Sequence, residues 1–409
     1  MNGSEARDPR LDFFRGLAMF VILVAHVPLN PWIRWIPARF GPSDATEMFV
    51  FCSGFASALA FGGTFARHGF GLGVLRVLHR CWQIYWSHLG AFLAVAAIGV
   101  AGTQLAGDAD YVRALWLHPF FAEPARGVLH LVTLTYVPNY FDVLPMYLVV
   151  LAQVPLVVAC ARLHPVLVAP VCGGLYLAQW HGLLDLPAEW WSDRPWFFNP
   201  FAWQLLFFTG FAFGAGWLPA PPRRRWLLRL TLAFVLVMVP LSWQPLWSAV
   251  GWLGQAHHVL ASWGDKTRFG MLRYLHFLAL AYLALRLVEL RPEALTGRAA
   301  APVIAVGQQA LPVFLWSMVC AQMLGMVLDR LGRAPLTVLV VNGLGLSSLV
   351  AVARLARLMK AQLWRRRAPR AREAAAPWTV VAVPAAALEG GERDEGGGRH
   401  LIGIHQSLA

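Results

Sequence analysis

Three short runs of the sequence hold the side chains best suited to chemistry. The first contains Asp12, Arg15 and His26, with only apolar residues from Gly16 to Ala25 between the last two. On a helix, Arg15 and His26 face the same way, about 16 Å apart along the axis, and Asp12 joins their stripe one turn earlier. Ionisable groups among apolar residues are expensive in a membrane and point to function by default. Imidazole takes and returns a proton near neutral pH. Alone, His26 would read as a packed, hydrogen-bonded residue and Arg15 as a cation snorkelling to the interface; their shared face favours chemistry.

The second run is Phe40-Gly41-Pro42-Ser43-Asp44-Ala45-Thr46-Glu47. Asp44 and Glu47 have the spacing of a capping box, or they form a polar wall of a site; both readings stay open. In the third run, Arg76, Arg80 and Gln83 follow helical spacing, with Tyr85 and His88 just beyond. The two arginines are either topology anchors or an anion site, since guanidinium groups grip phosphate bidentately. Gln83, Tyr85, His88 and, in Asn139-Tyr140-Phe141-Asp142, Asp142 are candidate substrate contacts. Polar clusters at Asn199–Gln204, Asp265-Lys266-Thr267, His276 and Gln308-Gln309 with Ser317 have simpler accounts as helix caps or interhelical hydrogen bonds. The five cysteines are scattered without CxxC spacing, so no metal site is expected.

The elements that must position these groups are membrane helices. Charged residues make up only 13% of the chain, against roughly 25% in a soluble domain, and 58% is hydrophobic, so water is the wrong solvent for it. The fold class is all-α, a polytopic integral membrane protein. Apolar runs of spanning length predict about ten helices, at 12–30, 45–63, 82–102, 143–161, 165–181, 200–218, 228–248, 271–289, 302–328 and 336–354, with a possible kink at Pro312 in the ninth. The basic N-terminus followed by Gly16–Ala25 resembles a signal peptide, but no small-x-small site follows, and an uncleaved first span is expected. The net charge of +13 comes from arginines between apolar runs, not from a basic domain, so nucleic acid is not an expected partner. Their excess falls on the loops that an inside N-terminus makes cytoplasmic, including Arg67, Arg162, Arg223–Arg225 and Arg291. Residues 1–355 form the membrane domain, and 356–409 a basic, disordered cytoplasmic tail that meets anionic lipid. The loops 103–142 and 249–270 are long, polar and aromatic, and fall on the opposite side.

These motifs together resemble the OpgC family, the osmoregulated periplasmic glucan succinyltransferases. The likeness runs through Leu11–Ala18, Phe40–Glu47, Arg80 to His88, Asn139–Tyr147, Asn199–Gln204, Asp265–Thr267 and Gln308–Pro312. More remotely, Arg15 and His26 resemble the first-helix signature of the membrane acyltransferase-3 superfamily, and Arg76/Arg80 its basic motif at the third helix. The resemblance implies O-acyl transfer, succinyl first among candidates, from cytoplasmic acyl-CoA to a periplasmic glucan hydroxyl at a bacterial inner membrane. Acyl-CoA would be a donor substrate and no cofactor would be tightly held. In this picture His26 is general base or acyl carrier, with Asp12 as its catalytic companion. Arg15, Arg76 and Arg80 bind the CoA phosphates, and Asp44, Glu47, Gln83, Tyr85, His88 and Asp142 meet substrate. A glycan or lipid transporter is the competing class, although neither an inverted repeat nor paired broken helices can be read in the sequence.

Topology is the first test. Reporter fusions after Arg225 and Arg372 should report cytoplasm, and one near Ala261 periplasm; a periplasmic C-terminal signal would break the even-span arrangement.

Overall fold

The computed structural model describes residues 8–107 and 109–362. They are helical almost throughout, with one isolated β-bridge, Pro187 to Pro195, among the described residues. The expected tail from residue 363 onward lies outside the described residues. The last helix, Pro335–Ala361, runs past the boundary expected at 355.

Helix α1, Pro9–His26, starts where Asp8 accepts the Arg10 N–H at 2.9 Å and Pro9 takes the first helical position. It stops at His26 because Val27 precedes Pro28, whose ring disfavours helical backbone at the residue before it, and Val27 is extended. The span expected to reach residue 30 therefore ends four residues earlier, leaving His26 at the helix mouth. Helix α2, Ala45–His68, follows. Helix α3, Phe70–Ala106, is unbroken, about 55 Å long at 1.5 Å per residue, and starts well before the expected 82. The apolar stretch at 143–163 is divided at Gln153, just ahead of Pro155.

Among the described residues, seven helical stretches are long and apolar enough to cross a bilayer. The other three expected spans are present as helices but fail on length or charge. Helix α1 carries Arg10, Asp12 and Arg15, Pro165–Trp180 is short, and Pro200–Gly214 has only 15 residues. A count of ten is thus not reached on length and apolarity alone. The ninth expected span does break, but at Gln309 rather than Pro312. Proline clashes with the carbonyl four residues back, here that of Gln308, so the chain turns before the proline. Pro312 then sits in the first turn of Ala310–Leu331, where its missing N–H leaves no bond unmade.

Polar contacts sort the connections into two ends. At one, Asn30 and Asn342 exchange amide hydrogen bonds of 2.8 and 3.1 Å, the Trp203 indole donates to Lys266 carbonyl, and Val137 N–H to Ala188 carbonyl. At the other, Arg162 donates to the Phe65 carbonyl, and Arg286 and Tyr282 to those of Pro221 and Pro222. The expected long loops 103–142 and 249–270 lie at the first end and contain short helices, such as Pro124–Val132 and Gly251–Ala261.

Between the ends, helices meet backbone to backbone. Helix α2 crosses Pro200–Gly214 where Gly54 faces the Phe207 carbonyl and Gly210 faces that of Phe51. Helix α1 meets Ala300–Gln308 in the same way through Gly16 and Gly307. Lipid supplies no hydrophobic drive to pair helices, so close approach by small residues does it instead. Gly54→Val must push the Phe207 carbonyl away, an overpacking cost of about 1–3 kcal/mol. It should lower the apparent Tm in detergent. Gly62→Val, where an added side chain meets open space, should not; equal Tm values for the two would remove the close-packing argument.

Candidate active site

The end of α1, the connection 27–44 and the start of α2 surround a cavity of about 390 Å³. His26 lines it, together with Asp44, Lys266 and Arg273. Asp44 caps α2 with its carboxylate on Thr46 N–H at 2.6 Å, while Glu47 reaches back to Asp44 N–H at 2.7 Å. This is a full capping box. The same two side chains also hold cations: Lys266 Nζ lies 2.6 Å and Arg273 3.5 Å from Asp44, and Arg273 Nε lies 2.7 Å from Glu47. The cap is present, and of its two side chains Asp44 lines the cavity while Glu47 does not. Burial would raise the Asp44 pKa, but Lys266 and Arg273, aided by the hydrogen bonds of Lys266 and Thr46, outweigh it and hold the carboxyl well below the usual range. Asp44 is therefore ionised throughout the physiological range. Its stabilising contribution is full above pH 3.8 and is lost progressively as pH falls from there through the lowered native value.

His26 is half-buried in the cavity wall, and its Nδ1 is buried without a hydrogen-bond partner. Its ring meets Tyr140 edge-on, centroids 5.0 Å apart. Tyr140 is held with φ at +89°, a conformation a bulky residue adopts only under constraint, and its hydroxyl is tied to the Met318 carbonyl. The strained turn fixes the ring that supports His26.

The other expected residues are placed elsewhere. Asp12 is buried on α1 fourteen residues from His26, about 21 Å along a continuous helix, so it cannot orient the imidazole directly. Arg15 remains on that helix, engaged by a partner. Helix α3 separates its expected residues by face. Val77, Ile84, His88 and Phe92 point inward, whereas Arg76, Gln83, Trp82 and Trp86 are exposed. Arg76 donates to the Thr64 hydroxyl, bridging α2 and α3, and Arg80 to Gln83. Tyr85 donates to the Val132 carbonyl at 2.8 Å. His88 is buried, with Nε2 lacking a hydrogen-bond partner, but does not line the His26 cavity. Asp142 is buried and accepts the Phe197 N–H at 3.3 Å, joining the Tyr140 turn to the 181–199 connection. Burial pushes its carboxyl up to about 7 against the opposing pull of Arg194.

Sequence reasoning passed over Arg273, which counted only as a loop charge, and gave Lys266 no partner. The available signal was electrostatic: two carboxylates one turn apart at a bilayer edge require two cations. The fold and site define a polytopic helical membrane protein with a charge-lined polar cavity at one end of the bundle, flanked by a histidine. A family model described as OpgC protein matches residues 7–361, and the chain belongs to that family. Membership implies involvement in the modification of osmoregulated periplasmic glucans. No curated protein and no solved structure matches the chain.

Removing one partner of a buried ion pair strands the other charge, at about 3–5 kcal/mol. Arg273→Met and Glu47→Leu should each destabilise the protein strongly, and the double variant much less than their sum. Thermal unfolding of the four proteins checks this; additive losses would mean the two side chains do not depend on each other.

Proposed function

We propose that the protein is a membrane-bound O-acyltransferase. It would move an acyl group, succinyl foremost, from cytoplasmic acyl-CoA to a hydroxyl of a periplasmic glucan, in a bacterial inner membrane with both chain termini cytoplasmic. The observation that carries the reading is His26 in the wall of a cavity with Asp44, Lys266 and Arg273, in a chain of the OpgC family.

The chemistry asks little more of the site. The glucan oxygen attacks the thioester carbonyl, the new ester C–O bond forms and the C–S bond breaks. His26 takes the hydroxyl proton and passes it to the departing thiolate of CoA. Lys266 and Arg273, in the wall of the same cavity, are the cations that would offset the negative charge that develops on the carbonyl oxygen. Arg15, nearer the opposite end of α1, remains the first candidate for the CoA phosphates. Arg76, exposed on α3, and Arg80, half-buried one turn further on, are the further candidates.

Purified protein incubated with radiolabelled succinyl-CoA and glucan should transfer label covalently to the glucan. Vesicle uptake without covalent transfer would instead make the protein a transporter. Loss of a general base typically costs about 10²–10⁴ in rate. His26→Ala and His26→Gln should both insert and purify normally, bind acyl-CoA and leave the glucan unmodified by mass spectrometry. Near-normal acylation by either variant would reduce His26 to packing and move the search for the base to His88.

A further inference from the structure

A second cavity of about 310 Å³ lies beside the first. The two share Ala38, Pro42 and Arg273, so the 38–42 segment and one guanidinium form the partition between them. Its volume sits at the lower end of small-molecule sites, about 300–1,000 Å³. The polar groups of its wall are His257, Ser242 and Arg273, and Met238, Leu241 and Leu272 supply apolar surface.

The hydrogen-bonding character of these groups follows from their contacts. His257 Nδ1 lies 2.7 Å from the Leu241 carbonyl oxygen, which can only accept, so Nδ1 carries the hydrogen. In the neutral imidazole Nε2 is then an acceptor. Trp247 lies flat on the same ring, with centroids 4.2 Å apart and planes 5° from parallel, which fixes its orientation. Arg273, with a side chain only 8% exposed, gives Nε to Glu47 and leaves Nη2 buried without a hydrogen-bond partner. Its charge is offset by Glu47 and by Asp44, which lies 3.5 Å from the same Nη2, so the guanidinium adds no net positive charge to the wall. An acceptor nitrogen and a hydroxyl beside a neutralised guanidinium, around an apolar floor, match a neutral polyhydroxylated ring. They match a phosphate or a carboxylate poorly.

We propose that this cavity is a second subsite for the acceptor, holding one hexose ring of the glucan while a hydroxyl of a neighbouring ring reaches His26 across the 38–42 partition. The inference rests on the glucan being the acceptor.

The test is calorimetric titration of the purified full-length protein with a neutral gluco-oligosaccharide, alongside transfer kinetics. His257→Phe keeps a flat ring against Trp247 but removes the acceptor, and Ser242→Leu fills the space. Each should raise the oligosaccharide Kd roughly tenfold or more, as loss of one or two hydrogen bonds to a fixed ligand implies. Ser242→Ala should do so more weakly and His257→Gln should restore part of the affinity, which separates lost contacts from misfolding. An unchanged Kd in His257→Phe and Ser242→Leu, or no binding by the unaltered protein, overturns the subsite. So does a rise in KM for acyl-CoA alone, which would give the cavity to the donor. Binding that is lost in these variants while the unaltered protein transfers no acyl group would leave the subsite standing and sink the acyltransferase reading instead.

Discussion

The arrangement of this end of the molecule depends on one buried contact, the 2.7 Å pair between Glu47 and Arg273. Glu47 is fully buried and Arg273 nearly so. At an effective dielectric near 20, two charges at that distance attract by about 6 kcal/mol, while each buried ion loses several kcal/mol of hydration. The pair alone roughly breaks even. Asp44 and Lys266 complete a set of two acids and two bases, and the backbone N–H groups of Asp44 and Thr46 supply further donors to the carboxylates. The network ties the first turn of α2 to the 264–273 segment, which are more than two hundred residues apart in the chain. Both cavities are walled by Arg273, so the contact that places its side chain shapes a wall of each.

Such a network could be positioned only if the helices beneath it met at fixed heights. Contacts among apolar side chains would leave them free to slide, because lipid competes equally for those surfaces. The glycine contacts of α2 with Pro200–Gly214, and of α1 with Ala300–Gln308, remove that freedom by seating each backbone on the carbonyls of its neighbour. Asp12 and Gly16 belong to the second of these contacts, since the Asp12 carbonyl faces Gly307. The buried Asp12 thus stands beside a packing junction, which gives its segment a structural role far from His26.

Helix type and membrane class were legible because composition and run length depend on local sequence alone. So was the polar character of Asp44 and Glu47, since their spacing fixes their shared face. Two things were not legible. Which face of α3 looks inward depends on its neighbours: Arg76 is exposed, while Arg80 is half-buried and bonded to Gln83. The partners of the two acids come from a region without a sequence signature of its own, and tertiary folding alone brings Lys266 and Arg273 to them. The break at Gln309 was misplaced by three residues for a simpler reason: proline acts on the turn before it, not at its own position.

The position of His26 follows from these constraints and narrows the kind of catalysis the site can support. Pro28 ends α1 just after His26, so the imidazole sits at a helix mouth beside a cavity rather than in the middle of the bundle. Its Nδ1 has no hydrogen-bond partner, and Asp12 is about 21 Å away along the axis. A serine-hydrolase type of relay, in which a buried carboxylate orients the ring, is therefore not built here. Packing does that work instead: the strained Tyr140 holds one edge of the ring, and Asp142, two residues on, anchors that turn through Phe197. Asp44, Lys266 and Arg273 line the same cavity as the histidine. In the proposed acyl transfer, His26 would therefore act as a base oriented by packing rather than by a carboxylate relay.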